Sequence, residues 1–140
     1  MTEQARLEQI RGMRTVTEDT EPEFWFHIQR AVLLALKDDG IMINQHESPF
    51  YAEDAAACQS MHKLIVESFP ISKIYQAHIP TYPSGHWLFG FASKKYHPLR
   101  DLDETRWNLR GLSCKYYTTT LHKGAFYIPA YVERLLKDVE

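Results

Sequence analysis

Residues 78–96 read HIPTYPSGHWLFGFASKKY, and the reading of this stretch decides how the chain is organised. Pro80 and Pro83 fix their own φ angles and push the residues before them, Ile79 and Tyr82, toward extended backbone. Ser84 and Gly85 complete the corner, and HWLFGFAS at 86–93 then runs almost wholly apolar and aromatic. A rigid corner therefore feeds a strand that must be covered on both faces. ISKIYQAHI at 71–79 reads as the strand that enters the corner, so the two form an antiparallel hairpin. A tyrosine held between two prolines is aimed, which makes Tyr82 the first candidate for a functional role.

Working outward, IMIN at 41–44 is a short apolar run bounded by turn signals, the pattern of a strand covered on both faces. A helix precedes it, with Pro22 in the first turn, an apolar face of Phe24, Ile28, Ala31, Val32, Ala35 and Leu36, and Gly40 of KDDG at a C-cap position. A second helix is expected from about Ala52 to Ser68, with Ala57, Met61, Leu64 and Ile65 inward and Pro70 as its stop. Beyond the hairpin the spacing gives a polar helix near 102–110, an irregular aromatic segment, and a closing helix from about Pro129 to Asp138. The order helix, strand, helix, strand, strand describes half of an open α/β sheet that ends in an antiparallel hairpin. Residues 1–22 form a separate segment, either a weak solvated helix or a tail, and 23–140 form the folded unit.

The chain has 140 residues, enough for one core that buries about two thirds of the unfolded surface. Its 16 basic and 18 acidic residues are spread without a block of one sign, which argues against a nucleic-acid or anionic-membrane partner. There is no run of about 18 apolar residues to span a bilayer. The first residues, MTEQARLEQIRGMR, are charged where a secretory leader needs an apolar centre, so a cytoplasmic protein is expected. Cys58 and Cys114 lack paired spacing and read as reduced, structural thiols.

Several catalytic patterns are absent. His46-Glu47 begins like HExxH, but residue 50 is Phe, and the other histidines show no ligand spacing. No metal or organic cofactor is expected. Ser84-Gly85 lacks the GxSxG elbow, and the six glycines form no phosphate-binding loop. What remains is NQHESP at 44–49, at the C-terminal end of the first strand, where open α/β sheets place their ligand crevices. If it lies beside the PTYPSG corner, Gln45, Glu47 and Tyr82 offer an amide oxygen, a carboxylate and a phenol, a set suited to an amine rather than an anion. The alternative is that Gln45 and Glu47 cap the second helix and Tyr82 packs beneath the corner.

Three stretches, ALKDDGIMINQHESPF at 35–50, IPTYPSG at 79–85 with the aromatic strand after it, and CKYYTTTLHKGAFYIPAYV at 114–132, resemble successive signatures of the polyamine aminopropyltransferases, the spermidine synthase family. The resemblance spans about residues 24–139. It implies a Rossmann-like sheet of the methyltransferase type, of which this chain matches the C-terminal half. It also implies transfer of an aminopropyl group from decarboxylated S-adenosylmethionine, a co-substrate rather than a cofactor, to putrescine. Tyr82 then corresponds to the tyrosine that meets the attacking amine and Gln45 to a glutamine that holds the diamine, with Glu47 and Pro83 placed on the same substrate-binding side.

Such chemistry needs a free amine. With a pKa near that of lysine, releasing the lone pair at pH 7 costs about 4–5 kcal/mol, about a thousandfold or more in rate. The family's glycine-rich donor loop, its ribose-binding acid and its DSTDP-like proton acceptor all precede the matched region. EDTEP at 18–22 offers a remnant of that acidic motif, with Asp19 in the acceptor's place, although it stands too close to the first helix. Two expectations follow. Either the chain supplies the diamine side of a spermidine synthase whose donor half lies in a missing or separate chain, or it is a non-catalytic accessory chain that keeps the fold. An open sheet edge favours an oligomer in both cases.

Overall fold

A computed structural model describes residues 2, 4, 5 and 21–139. The elements in order are α1 (Glu21–Ala35), β1 (Ile41–Gln45), α2 (Ala52–Ser68), β2 (Ile71–His78), β3 (His86–Ser93), α3 (Glu104–Leu109), α4 (Thr119–Ala125) and α5 (Ala130–Leu136). The sheet order is β1-β3-β2, and β3 is antiparallel to both neighbours. β1 and β2 therefore run in the same direction, joined through α2, with β3 inserted between them. Ile41 faces Ser93 and Gln45 faces Phe89 on one side of β3, while Ile71 faces Ser93 and His78 faces His86 on the other.

Successive side chains of β3 alternate between two layers. Leu88 and Ala92 point into the core. Leu88 packs with Ile74, Cys58 of α2 and Val132 and Leu136 of α5, and Ala92 with Ile65 and Phe69. Phe89 and Phe91 point the other way, where Phe89 stacks on Tyr75 at 5.3 Å and Phe91 meets Phe126 edge-on at 6.0 Å. The central strand is thus covered on both faces, as its composition implies.

β1 is a strand as expected, but it is not covered on both faces. Ile41 and Ile43 are 44% and 52% exposed: they share the face of Phe91, and Ile43 lines an open cavity there with Tyr75, Leu121 and Phe126 rather than being packed over. The inward faces of both long helices are only partly those expected: Leu36 at the end of α1 and Met61 and Ile65 of α2 pack in the core, but other positions differ. In α1, Ile28 is exposed and Gln29 is buried, with its Nε2 donating to Met61 Sδ of α2 at 3.0 Å. In α2, Ala57 is exposed, and Cys58, His62 and Ile65 are the buried residues. Apolar periodicity gives these faces incompletely because two polar side chains, Gln29 and His62, occupy core positions.

Gly40 lies beyond the end of α1 and serves by close approach, since a Cβ there would come within 2.8 Å of Leu36 Cβ. Lys94 closes the same end, with Nζ donating to the Leu36 carbonyl at 2.7 Å. α3 is shorter than expected, and α4 stands where an irregular segment was expected. Two threonines and a glycine weaken its intrinsic propensity, but Thr118 caps it by accepting from Leu121 N at 2.9 Å. His122 then ties it down through Tyr117 Oη at 3.1 Å and the Pro98 carbonyl at 2.8 Å. Among the described residues no helix is long and apolar enough to cross a membrane.

Candidate functional site

The corner between β2 and β3 is two successive tight turns. Tyr82 N donates to the Ile79 carbonyl at 3.0 Å and Gly85 N to the Tyr82 carbonyl at 3.1 Å, so Pro80 and Pro83 each occupy the second position of a four-residue turn. Ile79 N donates to the Gly85 carbonyl at 2.8 Å and closes the loop. Ser84, third in the second turn, has φ 65° and Gly85 has φ 66°, both in the left-handed region. A left-handed backbone costs a non-glycine residue about 1–2 kcal/mol, so something must hold Ser84 there.

That hold comes from the loop after β1. Ser84 Oγ donates to the His86 carbonyl at 3.1 Å and accepts from Ser48 Oγ at 2.7 Å. Ser48 is fully buried and accepts from Phe50 N at 3.4 Å. The NQHESP loop and the PTYPSG corner are therefore joined at the same end of the sheet, as the sequence suggested they could be. β1 also continues past its last residue toward the corner, with His46 N donating to the Leu88 carbonyl at 2.9 Å.

Tyr82 itself is 47% exposed. Its ring meets Trp87 edge-on, at 5.3 Å and 71°, and the Trp87 indole is fixed in turn by donating to the Pro83 carbonyl at 3.2 Å. Trp87 is thus the buttress that orients Tyr82. Pro83 contributes through its carbonyl and its fixed backbone. The phenol oxygen of Tyr82 has no hydrogen-bond partner among the described residues and is presented outward.

Gln45 and Glu47 share a cavity of about 610 Å³ between the end of β1 and α2, lined also by His46, Cys58, Met61 and Leu64. Tyr82 does not line it. The structure thus brings Gln45 and Glu47 together and ties their loop to the Tyr82 corner through the two serines. Neither Gln45 nor Glu47 takes the helix-capping place, since the N-cap of α2 is Tyr51 and makes no side-chain cap. Burial, and then the neighbouring Asp54, raise the Glu47 pKa above the usual carboxylate value. A carboxylate disfavoured by burial and a second negative charge gains from a cation beside it. Asp19 lies outside the described residues.

Two buried arrangements had no signal in the spacing of residues. His46 accepts from Asn44 Nδ2 at its Nδ1, 3.0 Å, and its Nε2 lies 3.5 Å from His62 Nδ1. Burial, followed by the neighbouring His62, lowers the His46 pKa to about 3, so the imidazole is neutral in ordinary buffers. Beneath the corner, His86 Nε2 meets Gln76 Oε1 at 2.7 Å and its Nδ1 meets Tyr131 Oη at 2.8 Å. Both pairings arise from residues far apart in sequence, and lone histidines announce no partners. Among the described residues, no three His, Cys, Asp or Glu side chains gather closely enough to hold a metal ion.

Residues 14–104 match the family model for the spermine/spermidine synthase domain. A polyamine aminopropyltransferase of Agathobacter rectalis is 66% identical over 106 residues, 76% of this chain and 37% of that protein. One of Streptococcus pneumoniae is 60% identical over the same shares. The chain therefore spans little more than a third of the length of these relatives. Among solved structures, spermidine synthase from Thermotoga maritima superposes with a TM-score of 0.73 at 30% identity, over 94% of this chain and 46% of that one. A spermidine synthase in complex with the transition state analogue AdoDATO gives 0.74 at 28% identity, over 94% and 48%. The inserted antiparallel β3 is thus the end of a methyltransferase-type sheet, and with 91 of its residues inside the matching domain the chain belongs to the spermine/spermidine synthase family.

Proposed function

We propose that the chain works in polyamine biosynthesis in the cytoplasm, supplying the diamine side of a spermidine synthase site. The observation that carries this reading is the presentation of the Tyr82 phenol by a doubly proline-fixed corner, in an assembly that also holds Gln45 and Glu47. In the reaction, a neutral amine nitrogen of putrescine attacks the aminopropyl carbon beside the sulfonium of decarboxylated S-adenosylmethionine. The new C–N bond forms as the C–S bond breaks, and the electron pair leaves on sulfur as the neutral thioether of methylthioadenosine. The proton on the attacking nitrogen is released.

Each residue has a task suited to its chemistry. Tyr82 accepts a hydrogen bond from the attacking amine and orients its lone pair, and a phenol fixed by packing does so without reorganising. Gln45 receives the diamine through its amide oxygen. Glu47, with Asp54 behind it, favours the cationic end of the chain. The donor side is contributed by a separate or additional N-terminal half in an oligomeric enzyme, where Asp19 is the one candidate of this chain for proton acceptance. No metal or organic cofactor is required.

The test is a mass-spectrometric assay with decarboxylated S-adenosylmethionine and putrescine, on the purified chain alone and combined with the N-terminal half of a relative. Spermidine and methylthioadenosine formed in equal amounts by the combination support the reading. Titration of putrescine into the chain alone, followed by NMR at Gln45 and Tyr82, tests the diamine side by itself. No transfer and no diamine binding would leave a non-catalytic accessory chain.

A further inference from the structure

His86 is the residue at which the corner, the β1–α2 loop and the last helix meet. Its carbonyl accepts from Ser84 Oγ, so it holds one end of the strut that keeps Ser84 in its left-handed conformation. Its imidazole is almost wholly buried. Gln76 Nε2 donates to the Tyr127 carbonyl at 2.9 Å, which turns the amide oxygen of Gln76 toward His86 Nε2 at 2.7 Å. An acceptor at that distance places the imidazole proton on Nε2 and leaves the lone pair on Nδ1. Tyr131 Oη, 2.8 Å from Nδ1, is therefore the donor.

The surroundings keep that tautomer. Phe50 packs against both His86 and Tyr131, with ring centres 5.7 and 5.4 Å away, and His78 stacks on the other side at 5.3 Å and 17°. Burial, and then the neighbouring His78, lower the His86 pKa below its ordinary value. Burial raises that of the Tyr131 phenol, which stays protonated and able to donate. The chain of bonds runs without a break from the first turn of α5, through the imidazole and backbone of one residue, to Ser84 and the turn that carries Tyr82.

We propose that Tyr131, acting through His86, is a positioning residue for Tyr82, so that docking of the last helix sets the conformation of the corner. Its consequence for catalysis rests on the aminopropyl-transfer reading, but the coupling itself does not. Without the Tyr131 hydroxyl the Nδ1 lone pair is buried and unpaired, the ring loses its reason to keep one orientation, and the Ser84 strut loosens.

The experiment uses the full chain and its Tyr131→Phe variant, observed by long-range ¹H–¹⁵N correlation of the histidine rings and by amide hydrogen exchange. In the parent chain His86 should show a protonated Nε2 and a bare, hydrogen-bonded Nδ1. In the variant the Nδ1 resonance should shift, and exchange at Ile79 and Gly85, the amides that close the corner, should accelerate about five- to tenfold. Exchange at Phe91, in the middle of β3, should stay unchanged. Gln76→Leu, which removes the other partner of the ring, should act in the same direction. A parent His86 protonated on Nδ1, an unchanged corner in both variants, or acceleration spread evenly over the sheet would each overturn the proposal. In a reconstituted enzyme Tyr131→Phe should lower kcat at least threefold with little change in the KM for diamine. An enzyme with no transfer in the parent form would sink the functional reading while leaving the exchange result to decide the coupling.

Discussion

Gly90 stands opposite Asn44 in the β1·β3 ladder, and a Cβ on it would come within 2.4 Å of Asn44 Oδ1 and 2.9 Å of His46 Cε1. The missing side chain is what lets the Asn44–His46–His62 series lie against the sheet. Gly90→Ala should therefore destabilise the fold by about 1–3 kcal/mol, the usual range for forcing extra volume into a packed site. Urea unfolding of the two proteins measures it. A change below a few tenths would show that His46 can move aside freely.

Acid should weaken the fold earlier than carboxylate titration alone requires. His46 is held down to about 3 in the folded chain against an ordinary 6.5, so between these values the unfolded chain binds a proton that the folded chain refuses. Its contribution is fully present above about pH 6.5 and is lost as the pH falls, at about 1.4 kcal/mol per pH unit. His86, also lowered, adds a loss of the same sign. Glu47, raised by burial, works against both at the acid end of the window. Unfolding free energies at pH 7, 6 and 5 should decline, and a flat profile over that span would contradict a buried, neutral His46.

The two serines should show an energetic coupling. Ser48→Ala removes a fully buried hydroxyl and should cost about 1–2 kcal/mol. Ser84→Gly relaxes the left-handed backbone while losing the same bond, so its net effect should be smaller. The double variant should fall short of the sum of the singles by about 1 kcal/mol, which a double-mutant cycle reads directly. Simple additivity would mean that the 2.7 Å contact carries no energy.

Tyr82→Phe should reduce aminopropyl transfer by the reconstituted enzyme at least tenfold while leaving the unfolding midpoint nearly unchanged, because the hydroxyl has no hydrogen-bond partner among the described residues. Trp87→Phe should lower kcat less, by loosening the tyrosine's buttress. Unaltered turnover in Tyr82→Phe would remove Tyr82 from the mechanism.

Elements whose character is local were legible in the sequence. The corner is written in Pro80, Pro83 and Gly85, the aromatic run gives β3, and Pro70 marks the stop of α2. The placement of the NQHESP loop at a strand end also follows from local pattern, whereas its place beside the corner comes from the β1·β3 pairing. What was not legible depends on pairing across the chain. Gln29 and His62 stand outside the apolar faces that the sequence shows, yet each is buried with a partner, Met61 for one and His46 for the other. Ile41 and Ile43 read as core because apolarity shows no face until the neighbouring layers are known. α4 is held by His122 contacts to Pro98 and Tyr117 that its own seven residues do not announce.

The insertion of β3 between β1 and β2 has a consequence for how the chain comes to be folded. Among the described strands, neither β1 nor β2 has a neighbour in the sheet until β3 arrives, and β3 is the last of the three to leave the ribosome. A nascent chain ending before His86 lacks the strand that pairs with both, and the β1·β3 pairs must close loops of about fifty residues. Assembly of this sheet is therefore a single late event, in which the strand made last acts as the keystone and the proline corner delivers it.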